Sequence, residues 1–128
     1  MAEFTNYLED KIIDHMLRNQ AYTPPSTVYL ALFTAAPSDA GGGTEVSGGS
    51  YARQAVTLSA ASGGASSNSA DITFPQATAD WGTVTHCALM DAASGGNMLM
   101  WTALDASKTV NNGDTFKISA GDLDVAVD

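Results

Sequence analysis

The chain has 128 residues, 45% of them apolar and only 15% charged, with a net charge of −9. Its five bases, Lys11, Arg18, Arg53, Lys108 and Lys117, are scattered. Nothing here clusters Lys or Arg as a phosphate backbone or an anionic membrane surface requires, so nucleic acid and membrane are excluded as partners. A lone cysteine, Cys87, excludes an intrachain disulfide.

The length suits one domain over residues 1–128, with a single hydrophobic core. No stretch approaches the ~20 apolar residues of a membrane span. Glu3, Glu9, Asp10 and Asp14 stand where a secretion signal needs a basic start and an apolar core, which points to synthesis in the cytoplasm.

In chain order, an N-terminal unit, residues 1–20, comes first. Phe4, Leu8, Ile12 and Met16 recur every four residues, and Tyr7, Ile13 and Leu17 widen the stripe, which predicts an amphipathic helix over residues 3–18. Asp14 and Arg18 stand at i,i+4, and Pro24-Pro25 forbids continuation. The β region, residues 26–128, follows. Val28 to Phe33 is a near-continuous apolar run, as in a strand buried on both faces.

Residues 37–50 form a glycine-rich loop of the length that is usually functional or mobile. Further strands are expected at residues 53–59, around Ile72 and Phe74, and at 84–90, 98–104 and 116–118. In the last segment Leu123, Val125 and Val127 alternate with Asp122, Asp124 and Asp128, the pattern of a half-exposed edge strand. About seven short strands with turn signals between them predict a mainly β fold, an antiparallel β-sandwich or barrel with one N-terminal amphipathic helix.

The chemistry-bearing residues do not assemble into a reaction centre. His86 and Cys87 are neighbours in a strand, so they point to opposite faces and cannot share a metal ion. Asp122, Asp124 and Asp128 share a face without a calcium-loop pattern. No nucleophile elbow is present, and Gly41-Gly42-Gly43 lacks the Lys-Ser/Thr of a phosphate cradle. No catalytic residue, cofactor or metal is expected. Trp81, Trp101 and Tyr51 suit either a core or an interface.

Ala36-Pro37-Ser38-Asp39, Glu45, Tyr51-Ala52-Arg53, Ile72-Thr73-Phe74-Pro75, Trp81-Gly82-Thr83 and Gly95-Gly96-Asn97, set behind a short leading helix, resemble a family of small virion structural proteins of tailed bacteriophages. The resemblance covers nearly the whole chain and implies a non-enzymatic structural role, with these positions defining the fold. Members are often tail-fibre-like, and small acidic β proteins also decorate capsids. The chain shows no repeats or heptads from which to build a fibre shaft.

The expectation is therefore a capsid decoration (cement) protein on the capsid exterior. It would bridge subunits of the major capsid protein and assemble as a homotrimer. The alternative is a small tail fibre or baseplate component, receptor- or carbohydrate-binding, with Trp81 and Tyr51 as sugar platforms. Candidate interface residues are Phe4, Leu8, Ile12 and Met16 on the helix, with Glu45, Tyr51, Arg53 and Trp81. The helix stripe fits equally well a helix that closes the chain's own core.

Overall fold

The computed structural model describes residues 3–127. Ten strands and one helix follow in the order β1 (Glu3–Phe4), α1 (Asn6–Leu17), β2 (Val28–Ala35), β3 (Thr44–Glu45), β4 (Gln54–Val56), β5 (Ala65–Ser67), β6 (Ile72–Thr73), β7 (Gly82–Met90), β8 (Met98–Val110), β9 (Lys117–Ile118) and β10 (Asp124–Ala126). A six-stranded sheet has the order β1-β8-β7-β2-β3, with β4 also on β2, while β5–β10 and β6–β9 form two-stranded ribbons. Every named pair is antiparallel. The fold is thus mainly β, as the pattern predicts, but the sheet stays open and does not close into a barrel. The three strands beyond the expected seven are β1, β3 and β5, two or three residues each, too short for an alternation to register.

The central strand explains the architecture. Leu30, Ala31, Leu32 and Phe33 of β2 are all essentially buried. Leu30 and Leu32 face the main core with Val84, Cys87 and Leu89, and the two ribbons and their flanks cap it with Ile72, Phe74, Phe116 and Leu123. Ala31 and Phe33 join Ala88, Met90 and Met98 in a smaller cluster. Burial on both faces is why β2 reads as an unbroken apolar run. Each large aliphatic side chain so buried stabilises the fold by roughly 1.5–3 kcal/mol.

In β8 the register steps from Leu89↔Met100 to Met90↔Met98. Leu99 is the extra residue of a bulge, so Leu99 and Met100 both join the main core. The strand also runs beyond Leu104, where its apolar pattern stops, because Lys108, Thr109 and Val110 pair again with Val84, Thr83 and Gly82.

The helix starts later than the apolar spacing predicts. Thr5 is extended (φ −77°, ψ 158°) and caps α1, its hydroxyl accepting from the Leu8 N–H at 3.4 Å, which satisfies one of the donors a helix start leaves open. Phe4 therefore lies in β1 opposite Met100 and not on a helical stripe. Asp14 and Arg18 pair at 2.7 Å on the exposed side, a contact of small energetic weight. At the C-terminal end Leu123 is buried but Val127 is 64% exposed, so the apolar side of that alternation opens to solvent. Asp128, the third acid of the expected face, lies outside the described residues.

Candidate functional site

A cleft of about 550 Å³ lies over the smaller apolar cluster. Phe33, Met90 and Met98 line it, together with Gly41 to Gly43, Gly95 to Asn97, Glu45 and Arg53. Two of the expected interface residues meet here. Arg53 donates to Glu45 through Nε and Nη2, each at 2.8 Å. This is the two-point geometry in which a guanidinium binds a carboxylate most strongly. Arg53 Nη1 donates to the carbonyl oxygens of Ala92 and Gly95, again at 2.8 Å each. One guanidinium thus ties β3 to the β7–β8 connection, and its side chain is only 8% exposed.

Tyr51 stands behind this pair. Its hydroxyl donates to Glu45 Oε2 at 2.7 Å and accepts from the Leu32 N–H at 3.0 Å, anchoring the network to the central strand. Its ring stacks on Phe74 and meets Trp81 edge-on, with centroids 6.1 and 5.4 Å apart. Trp81 is 6% exposed, and its Nε1 donates to the Gly49 carbonyl at 2.9 Å. Gly49 has φ +57°, and a Cβ there would sit 2.9 Å from Trp81 Nε1. The glycine-rich loop can close over the indole only with hydrogen at that position. Trp81 is accordingly a core residue and offers no sugar platform.

The electrostatics follow from this geometry. Burial by itself would raise the Glu45 pKa, but hydrogen bonds from Arg53 and Tyr51 and the charge of Arg53 outweigh it and hold the carboxyl below its ordinary value. The hydrogen bond to Glu45 correspondingly raises Arg53. Burial, then the bond to Glu45, raises the Tyr51 phenol, which stays protonated as a donor. These groups are arranged to hold loops in place, since each is committed to a partner within the fold.

The helix residues lie elsewhere. Phe4, Leu8 and Ile12 line a second groove of about 310 Å³ beside Met100, Val125 and Val127, with no polar surface in its lining. Phe4, Tyr7 and Leu8 also pack against the main core, whereas Ile13, Met16 and Leu17 are 50%, 70% and 79% exposed. The eight expected residues therefore form two groups, one knitted into the β body and one on an arm.

His86 and Cys87 separate as adjacent strand residues must. Cys87 joins the main core, where burial pushes its thiol up to about 12, and His86 packs near Trp101 with ring centroids 6.1 Å apart. Among the described residues no three His, Cys, Asp or Glu side chains come together as a metal would need, and no helix is long and apolar enough to cross a membrane.

Two structural residues, Asn68 and Thr5, escape the sequence pattern, and a third, Asp39, enters it only through the family resemblance. Asn68, 2% exposed, donates to the Ala70 and Ser119 carbonyls and accepts from the Leu123 N–H. Thr5 is equally buried. Asp39 accepts from Trp101 Nε1 at 3.0 Å. Asn68 sits in a Ser-Ser-Asn-Ser run that reads as loop, and the partners of the other two are far away in sequence.

An open antiparallel sheet, loops clamped by an internal ion pair and a helix lying on one edge define a small structural β protein. The chain belongs to the family described as Podophage GP4 fiber I protein gp80, which matches residues 3–126. It is accordingly a structural protein of a phage virion, from a fibre-related family. No curated protein matches the chain.

Proposed function

We propose that this protein is a non-enzymatic component of a phage tail-fibre apparatus that joins other fibre parts and further copies of itself. The observation that carries this reading is the fibre family's match across residues 3–126. The capsid-exterior expectation rested on the missing shaft. A shaft is required of a whole fibre but not of each of its parts, so an adaptor or tip is free to be compact. The family's fibre description therefore favours the tail over a cement that bridges major capsid protein subunits. The spent state of Glu45, Tyr51 and Arg53, each bonded within the fold, supports a structural task over a chemical one.

The self-association part of the proposal draws on the arm. Met16 and Leu17 leave most of their apolar surface in water, as anchors of an unfilled contact do. Immunogold labelling of intact particles tests the location. Gold on the tail is the expected outcome, and gold distributed over the head would overturn it.

A further inference from the structure

The N-terminal arm meets the β body in an unequal way. Its first residues are held closely. Glu3 and Phe4 pair with Trp101 and Met100 on the outer edge of β8. The Thr5 N–H donates to the Leu99 carbonyl at 3.0 Å. The Thr5 hydroxyl lies 2.6 Å from the Met98 carbonyl oxygen, and the Asn6 N–H donates to the Asp39 carbonyl at 2.8 Å. The Leu99 bulge thus forms a socket that reads an extended segment through main-chain bonds, with a threonine hydroxyl as the plug. This is the way an added strand is recognised at a sheet edge.

The grip then fades along the arm. No residue of α1 is buried, and exposure of its apolar side chains rises from 50% at Ile13 to 79% at Leu17. Beyond the helix, Asn19 takes φ +56°, a left-handed conformation that non-glycine residues seldom adopt. Thr23, Pro24 and Ser26 are exposed, and Pro24-Pro25 favours a stiff, extended connection. Residues 21–27, fully extended, reach about 25 Å, enough to carry the arm from its own β body to a neighbouring one.

We infer that the arm is exchanged between copies, the Glu3–Thr5 plug of one chain seating in the β8 socket of the next. Exchange keeps every contact of the plug, since socket and plug are the same in each copy. It also places the donor's β body beyond the C-terminal end of α1, where the chain leaves the helix. That is where Met16 and Leu17 stand uncovered, so the donor body becomes their cover. The arrangement rests on the self-association proposed above and supplies its contact.

The test uses the complete chain with a photoreactive benzoylphenylalanine in place of the exposed Glu3. Unlabelled and ¹⁵N-labelled copies are mixed, unfolded together, refolded and irradiated. Crosslinked peptides joining residue 3 to the β8 edge are then sorted by mass, and light scattering gives the molar mass. Exchange yields oligomers in which light-to-heavy pairs are as frequent as unmixed ones. Oligomers with only unmixed pairs would overturn exchange and leave self-association standing. A monomer with only unmixed pairs would overturn both. A companion Pro24→Gly, Pro25→Gly chain leaves the plug intact and is expected to show fewer mixed pairs. An unchanged mixed fraction would count against the stiff connection as the device.

Discussion

Around Arg53, four hydrogen bonds from one guanidinium hold β3 and the β7–β8 connection together, and Tyr51, Phe74 and Trp81 pack behind them. Along α1, by contrast, an apolar stripe of the same sequence prominence ends in side chains more than two-thirds exposed. The first region spends its side chains on its own fold, and the second leaves those of its last turn exposed. Residues that look alike as interface candidates are thereby separated by what already surrounds them. In the first region the candidates are consumed in building the surface, whereas in the second Phe4 and Leu8 pack on the core and Met16 remains available to a partner.

The contrast is most severely tested by Trp81→Ala. Removing a 6%-exposed indole empties the aromatic cluster and frees Gly49, and a loss of about 3–5 kcal/mol is expected in urea unfolding. Arg53→Ala comes next at about 3 kcal/mol, because Glu45 is left partly buried without its counter-charge. Gly96→Ala is expected to cost about 1–3 kcal/mol, since Gly96 has φ +73° and a Cβ would collide with the Asp91 carboxylate.

A subtler effect comes from acid. The Glu45 pKa is lowered in the fold below its ordinary 4.5, so its contribution is complete above that value and is lost as pH falls through the folded-state pKa. The stability advantage over Glu45→Gln is expected to be constant near neutrality and to shrink progressively below pH 4.5. An advantage that persists unchanged in acid would mean that the ion pair carries no linkage. The smallest effect belongs to the arm. Leu17→Ser is expected to change unfolding of the isolated chain by no more than about 0.5 kcal/mol, while weakening self-association measured by sedimentation.

Much of this was legible in the residues, for physical reasons that differ by element. Val28 to Phe33 announced a doubly buried strand because both of its faces are apolar. The helix was visible in its spacing, but its start was not. Thr5 sets the start of the helix by capping it, and Phe4 continues the apolar rhythm while belonging to a strand. β3 and β5 are made of Thr-Glu and Ala-Ser-Ser, sequences whose pairing is decided by long-range partners and not by local preference.

Glu45, Tyr51, Arg53 and Trp81 stood out singly. That three of them share one hydrogen-bond network while the fourth packs against it is a property of chain topology, which brings the glycine-rich loop back over β2. The capsid expectation drew on the absence of a shaft, a feature of whole fibres that says little about one of their parts.

The most direct measurement is the number of copies of this protein per virion, obtained by quantitative mass spectrometry against the major capsid protein. A fibre component is expected at roughly a few to a few dozen copies, following the low-order symmetry of a tail. A count on the order of hundreds, close to that of the capsid subunits, would contradict the tail assignment, because only the icosahedral shell repeats a site so many times.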